Sequence, residues 1–286
     1  MTGKSDISGK RTLVVVGNGM VGYKLCEKLT DQADAGALNL IVFGDEPRPA
    51  YDRVQLTSYF DDDKSADDLL LADAEWYRQR GIDLRVGTRV TAIDRWARTV
   101  TTDAGDVQPY DELVLATGSA AFIPPIEGIE LPGVFPYRTI EDLDDILAYT
   151  RQARRCAVLG GGLLGLEAAR AVQACGLEVH VVEMAPRLMP RQLDETGARL
   201  LARSIEAMGV GLHLGKRTSC VTGEASVTGL SFDGGELLEV DMIVVSAGIR
   251  PRDELARDCG LSVGERGGVV VDDALRTSAP AVYAVG

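Results

Sequence analysis

Two short runs carry the residue types that could do chemistry: Gly17-Asn18-Gly19-Met20-Val21-Gly22 and Gly160-Gly161-Gly162-Leu163-Leu164-Gly165. Each follows an apolar stretch, Leu13-Val14-Val15-Val16 in one case and Cys156-Ala157-Val158-Leu159 in the other. Each precedes a segment with helical character; in the first, Val21, Leu25 and Leu29 fall on one face. A helix N-terminus offers backbone N–H groups without partners and the positive end of the helix dipole, so it favours an anion. Gly17 and Gly160 are expected to make the strand-to-helix bend, and Gly19 and Gly162 to admit a pyrophosphate against the backbone. Gly22 and Gly165 are expected to let the helix pack close to the sheet. Met20, Leu163 and Leu164, inside the same turns, belong to the same candidate set.

A second acidic signal follows each run. Leu40-Ile41-Val42-Phe43 ends just before Asp45-Glu46, and Val179-His180-Val181-Val182 ends at Glu183. An acid about 20 residues beyond the third glycine is placed to accept the ribose hydroxyls of a dinucleotide. Glu183 stands 18 positions after Gly165. Asp45 and Glu46 follow Gly22 at a longer interval, stretched by the insertion Asp31 to Leu38, and spacing does not choose between them. Glu167 carries two readings of equal standing. It is either a carboxylate favoured in the first helical turn by the dipole, or a residue facing the reacting rings.

The elements that must hold these residues are written twice along the chain. After the second strand, the first half has a helix ending near Arg80-Gly81, the strand Ile82 to Gly87, alternating residues from Arg89 to Thr102, a turn at Asp103 to Gly105, and a closing run to Ala116-Thr117-Gly118. The second half has Met208-Gly209, the strand Val210 to Gly215, a turn at Asp233-Gly234-Gly235, and a closing run to Ser246-Ala247-Gly248. The expected fold class is α/β: two Rossmann-like βαβ dinucleotide-binding domains, each with an inserted antiparallel β-meander. The boundaries read as residues 1–118 for the first domain, 119–135 for a Pro- and Gly-rich crossing linker, 136–250 for the second domain, and 251–286 for a return to the first. Thr139 with Asp142 has the spacing of a capping box for the helix carrying Ile140, Leu143, Ile146 and Leu147. Asp61-Asp62-Asp63 reads as a solvated acidic turn.

Composition excludes other classes. A formal net charge of −13 with no clustered basic face argues against nucleic acid. The polar start, Met1 to Lys10, and the short first apolar run argue against a secretory or membrane segment, so a soluble, cytoplasmic protein is expected. The five cysteines, Cys26, Cys156, Cys175, Cys220 and Cys259, have no metal-ligand spacing, and they read as reduced and mostly buried. His180 and His213 lie in strands as satisfied or solvent-facing imidazoles, and no metal site is expected.

From Arg11 to Gly286 this motif set resembles the FAD-dependent pyridine-nucleotide oxidoreductases related to glutathione reductase. The resemblance implies FAD in the first unit and NAD(P)H in the second, with a hydride passing from nicotinamide to flavin. It implies a flavin side of Gly17, Gly19, Gly22, Asp45 or Glu46, Arg53, Ala116, Thr117 and Gly118. The nucleotide side is then Gly160, Gly162, Gly165, Glu167, Glu183 and Gly248. Ala116-Thr117-Gly118 resembles the exit from the flavin domain, Gly248-Ile249-Arg250-Pro251 the return, and Thr277 to Gly286 a second FAD fingerprint. Glu183 favours NADH over NADPH, with Arg187 as the rival group that could take a 2′-phosphate.

A narrower resemblance, through Glu46 to Phe60, Tyr137 to Leu143, Gln192-Leu193-Asp194 and Gly248 to Asp253, is to the N-terminal part of assimilatory NAD(P)H nitrite reductase large subunits. It implies onward electron flow to an iron–sulfur cluster and sirohaem in regions beyond this chain. The stretch Gly44 to Phe60 lacks the cysteines of the disulfide reductases. Ser58 stands where ferredoxin and rubredoxin reductases usually have Lys, and Val54-Gln55 where they have Pro-Pro. A free-standing NADH-dependent ferredoxin or rubredoxin reductase, serving a small electron-carrier protein, is the alternative enzyme. A nucleotide-binding module without turnover is the non-enzymatic alternative, and a homodimer is left open.

Overall fold

The structure, a computed structural model, describes residues 10–32, 37–60 and 64–286. The run Asp61 to Asp63 and part of the Asp31 to Leu38 insertion lie outside them. The chain opens with β1 (Arg11–Val16), α1 (Met20–Thr30) and β2 (Leu38–Phe43). A 3-10 segment (Arg53–Phe60) leads to α2 (Ala74–Gln79) and β3 (Ile82–Arg85). The meander β4 (Val90–Asp94), β5 (Thr99–Thr102) and β6 (Val107–Pro109) then precedes β7 (Glu112–Leu115). A crossing strand β8 (Ser119–Ala121) is followed by β9 (Val134–Pro136), α3 (Ile140–Thr150), β10 (Arg155–Leu159), α4 (Leu163–Ala174), β11 (Glu178–Glu183), α5 (Glu195–Ala207) and β12 (Gly211–Leu214). The second meander, β13 (Thr218–Gly223), β14 (Val227–Phe232) and β15 (Leu237–Leu238), precedes β16 (Met242–Val245). The crossing strand β17 (Ile249–Pro251), α6 (Glu254–Asp258) and β18 (Val282–Ala284) complete the path.

Two compact units result. Unit 1 comprises residues 1–52, 69–119 and 251–286; unit 2 comprises 53–68 and 120–250. The sheet of unit 1 runs β18-β7-β1-β2-β3 and that of unit 2 runs β12-β11-β10-β16-β9, all pairs parallel. Each unit also has a three-stranded antiparallel meander, as the repeated sequence pattern predicts.

Parallel strands covered on both faces must be apolar at nearly every position, and β1 is: Leu13, Val14, Val15 and Val16 are all buried. Val14 and Val16 join Ile41, Phe43 and the meander residues Val90, Ile93 and Val100 on one face. Leu13 and Val15 join Leu40, Val42, Cys26 and Tyr77 on the other. In unit 2, Ala157, Leu159, Val182, Ile243 and Val245 pack against Val221, Val227, Leu230 and Phe232 of the meander. The expected face of α1 needs correction. Gly22 and Cys26 are its buried residues, Leu25 and Leu29 lie at the margin, and Val21 is 42% exposed. The absent side chain of Gly22 draws that side of the helix inward, which turns Val21 outward.

Thr139 and Asp142 form the expected capping box, and Ile140, Leu143 and Ile146 are buried. Of the cysteines only Cys26 and Cys156 are buried; Cys175, Cys220 and Cys259 are half-buried, because they sit at element ends or on a meander strand rather than at sheet centres. The two histidines satisfy one another, Nε2 of His213 lying 3.2 Å from Nδ1 of His180. No helix among the described residues is long and apolar enough to cross a membrane.

Candidate functional site

The strand register shows how far the two glycine-rich turns correspond. Val16 pairs with Phe43 in β1/β2, and Leu159 with Val182 in β10/β11. Gly17 N donates to Phe43 O at 2.8 Å and Gly160 N to Val182 O at 2.9 Å. Both first glycines are left-handed, at φ +114° and +124°. A Cβ on Gly17 would fall on the carbonyl of Ala116, and one on Gly160 on that of Ser246. A Cβ on Gly22 would strike the carbonyl of Gly17, and one on Gly165 that of Gly160, so each helix touches the turn that opens it. The middle glycines differ from these: a Cβ on Gly19 or Gly162 would meet nothing within 4 Å.

The helix starts agree with that open space. Asp73, Thr139 and Asp194 cap α2, α3 and α5 with side-chain hydrogen bonds, whereas α1 and α4 begin at Gly19 and Gly162 with no side-chain cap. Two helices of 11 and 12 residues thus begin without a side-chain cap, each at a glycine whose Cβ would meet nothing within 4 Å.

The acids part company. By register, Glu183 is matched in unit 1 by Gly44, and Asp45 and Glu46 lie one and two residues further on. Glu183 curls over its own turn: Oε2 accepts from Gly161 N and Oε1 from Ala185 N, each at 2.7 Å. A Cβ on Gly161 would lie 3.0 Å from the Cβ of Glu183. In unit 1 the side chain comes from the turn instead. Asn18 occupies the place of Gly161, its Oδ1 accepts from the Tyr77 hydroxyl at 3.1 Å, and its buried Nδ2 has no partner. Asp45 accepts from Arg252 Nη1 at 2.6 Å, and Glu46 accepts from the Tyr51 hydroxyl at 2.6 Å.

The closing turns complete each set. Ala116 N donates to Val16 O and Ser246 N to Leu159 O, which puts Ala116-Thr117-Gly118 and the turn to Gly248 beside their first strands. Gly248 O accepts from Phe122 N at 2.9 Å. Arg53 belongs to unit 2, where its guanidinium donates to Arg138 O at 2.9 Å. Beside it Thr57 Oγ1 lies 3.2 Å from the hydroxyl of buried Tyr137, whose pKa burial pushes up to about 12. Glu167 on α4 is half-buried without a hydrogen bond or ion pair among the described residues, and burial raises its carboxyl above the usual range. Met20 and the exposed Leu163 and Leu164 form the first turns of α1 and α4.

Residues 11–286 match the family model described as pyridine nucleotide-disulphide oxidoreductase. The chain belongs to this family. It is 47% identical over 279 residues to the nitrite reductase (NADH) large subunit of Escherichia coli (strain K12), covering 97% of this chain and 33% of that protein. It is 42% identical over 278 residues to the nitrite reductase [NAD(P)H] of Bacillus subtilis (strain 168), covering 97% of this chain and 34% of the relative. The chain therefore spans about a third of the length of these curated relatives. Among solved structures, an NAD-dependent persulfide reductase from A. fulgidus superposes with a TM-score of 0.91 at 31% identity, over 96% of this chain and 53% of the other. Family membership implies binding of FAD and NAD(P)H. The uncapped starts of α1 and α4, with room beside Gly19 and Gly162, fit a pyrophosphate in each unit.

Proposed function

We propose that unit 1 holds FAD and unit 2 holds NAD(P)H, NADH in preference to NADPH, and that the chain is the electron-input module of a nitrite-reductase-type enzyme. The observation that carries this reading is the duplicated, uncapped helix start with open space at its middle glycine, in a chain 47% identical to a nitrite reductase large subunit. Residues 1–118 and 251–286 would form the flavin-binding part, 136–250 the nucleotide-binding part, and 119–135 the linker between them. When bound, the two cofactors supply the hydride transfer itself.

The chain's own residues bind and orient. Gly17, Gly19 and Gly22, with the start of α1, receive the FAD pyrophosphate; Gly160, Gly162 and Gly165, with the start of α4, receive that of NAD(P)H. Glu183, already fixed by two backbone N–H groups, offers its remaining lone pairs to the nucleotide ribose. Ala116, Thr117, Gly118 and Gly248 line the strand ends, Arg53 braces the segment beside Tyr137, and Glu167 is held half-buried for the reacting end of the nucleotide. Electrons would pass to an iron–sulfur and sirohaem region, or to a small electron-carrier protein, in the cytoplasm.

The test is to load the chain with FAD, add NADH, and follow bleaching of the flavin spectrum and ferricyanide reduction, with nitrite and an ammonia assay in parallel. Bleaching and ferricyanide reduction are expected without ammonia, because five scattered cysteines cannot assemble the clusters that six-electron chemistry needs. A chain that takes up no FAD, or that makes ammonia with no added protein, overturns the reading.

A further inference from the structure

The site described above leaves Arg252 out, and three of its bonds converge on the expected flavin side. Its Nη1 donates to Asp45 Oδ2 at 2.6 Å, its carbonyl accepts from Thr117 Oγ1 at 2.6 Å, and its N–H donates to Gly118 O at 3.0 Å. All four residues belong to unit 1. Thr117 and Gly118 follow the end of β7, and Asp45 follows the end of β2; β7 and β2 flank β1 in the sheet. Arg252 therefore spans the carboxyl end of β1, which is the point where strand order reverses and where open α/β sheets hold their ligands.

Stability alone gives a weak reason for such a contact. The two side chains are 34% and 40% exposed, and a pair of that kind is worth about 0–1 kcal/mol. Its effect on orientation is larger. With Oδ2 held by Arg252, Asp45 makes no other hydrogen bond among the described residues, so Oδ1 is left to accept, whereas Glu46 is engaged by Tyr51.

We infer that Arg252 is a positioning residue of the flavin-side site, fixing Asp45 as the carboxylate that accepts the adenosine ribose hydroxyls and holding the Thr117-Gly118 turn in register with it. The inference rests on the assignment of FAD to unit 1, and its test separates the two. FAD is bound to the wild-type chain and displaced, read by flavin absorbance, with ADP and with 2′,3′-dideoxy-ADP. Displacement of bound flavin reports unit 1 alone. A wild-type chain that takes no FAD sinks the assignment, and the inference with it.

Given FAD binding, the wild type should prefer ADP by about tenfold, the usual worth of a hydrogen bond to a charged group. Arg252→Met should bring the ratio close to 1, Arg252→Lys should restore part of it, and Arg252→Met with Asp45→Asn should discriminate no worse than Asp45→Asn alone. A merely structural arginine would weaken both ligands equally, so an unchanged ratio in Arg252→Met overturns the inference. Should that variant not fold, Asp45→Asn decides: a ratio near 1 supports the inference, and wild-type discrimination refutes it.

Discussion

The turn at Gly17 to Gly22 and the turn at Gly160 to Gly165 share a backbone and trade a side chain. Unit 1 puts Asn18 on the turn and Gly44 on the strand end; unit 2 puts Gly161 on the turn and Glu183 on the strand end. A second side chain at this crossing would be crowded, since a Cβ on Gly44 would lie 3.1 Å from that of Asn18 and one on Gly161 2.8 Å from Leu188 Cδ2 and 3.0 Å from the Cβ of Glu183. The shared backbone leaves the same room beside both middle glycines, and whether the turn or the strand end carries the side chain decides where the carboxylate proposed for the ribose stands. In unit 2 the acid is on the strand and secured by its own turn. In unit 1 the carboxylate inferred for the ribose, Asp45, lies further along the loop and is held by Arg252, 207 residues away. One turn further along each helix the contrast recurs: Lys24 of α1 is exposed and paired with Glu27, while Glu167 at the matching position of α4 is half-buried and unpaired.

The comparison breaks most severely at the third glycines. Gly165→Val places atoms on the Gly160 carbonyl and should push α4 off its sheet at about 2–3 kcal/mol, abolishing NADH-dependent bleaching while FAD is retained. Gly22→Val should do the reverse, losing FAD on desalting. If either variant lost both cofactors, or neither, the two turns would not be independent sites.

Glu183→Ala comes next. A 2′-phosphate about 4 Å from this carboxylate is repelled by about 4 kcal/mol at an effective dielectric of 20 and about 1 in water. The wild type should therefore prefer NADH by between several-fold and about a thousandfold, and Glu183→Ala should lose that preference, measured by steady-state ferricyanide reduction. Equal efficiencies in the wild type would instead put Arg187, whose buried Nε has no hydrogen-bond partner, in charge of the phosphate.

A smaller effect is expected at the open middle glycine. Gly162 sits at φ −83°, where alanine is unstrained, and its Cβ would meet no protein atom. Gly162→Ala should hold the melting temperature within about 1–2 °C. NADH affinity should drop about tenfold, since the methyl group takes the ligand's room. Titration of the FAD-loaded chain with NADH, beside a thermal melt, separates these effects; unchanged affinity would mean that nothing is held there.

The smallest concerns Glu167. Burial raises its carboxyl, so the folded chain disfavours its charge and loses stability once pH climbs above the ordinary carboxylate range. Glu167→Gln should melt slightly higher, by about 1–2 °C, at neutral pH, with the gain fading as pH falls through the raised carboxyl pKa and gone by about pH 4. A pH-independent difference would show that burial of the charge is not its source.

The sheets, helices and meanders could be read from sequence because each rests on local pattern: apolar runs for covered strands, alternation for the meanders, glycine spacing for the turns. The exchange of Asn18 and Gly44 for Gly161 and Glu183 could not, since it depends on which of two facing backbones carries a Cβ. The segment Arg53–Phe60 lies with unit 2 although it follows the first βαβ pattern, and a 3-10 stretch has no apolar period to announce that partner. Arg252 is illegible in the sequence for a related reason. A lone arginine after a crossing strand carries no signal until the fold brings Asp45 to it. The outward turn of Val21 is likewise hidden in the sequence, because apolar spacing does not reveal that Gly22 and Cys26 are the buried residues of α1.

The order in which strands join the first sheet has a consequence for how the chain is made. β18, at Val282–Ala284, pairs with β7 and closes one edge of a sheet whose other strands left the ribosome long before. Unit 2 has its residues in hand by Arg250, whereas the unit begun first still lacks β18 at that point. During that interval β7 offers an unpaired parallel edge of buried-type residues, the kind of surface that invites wrong partners. Synthesis that stalls between Arg250 and Val282 should therefore release chains with a sound second unit and an adhesive first one.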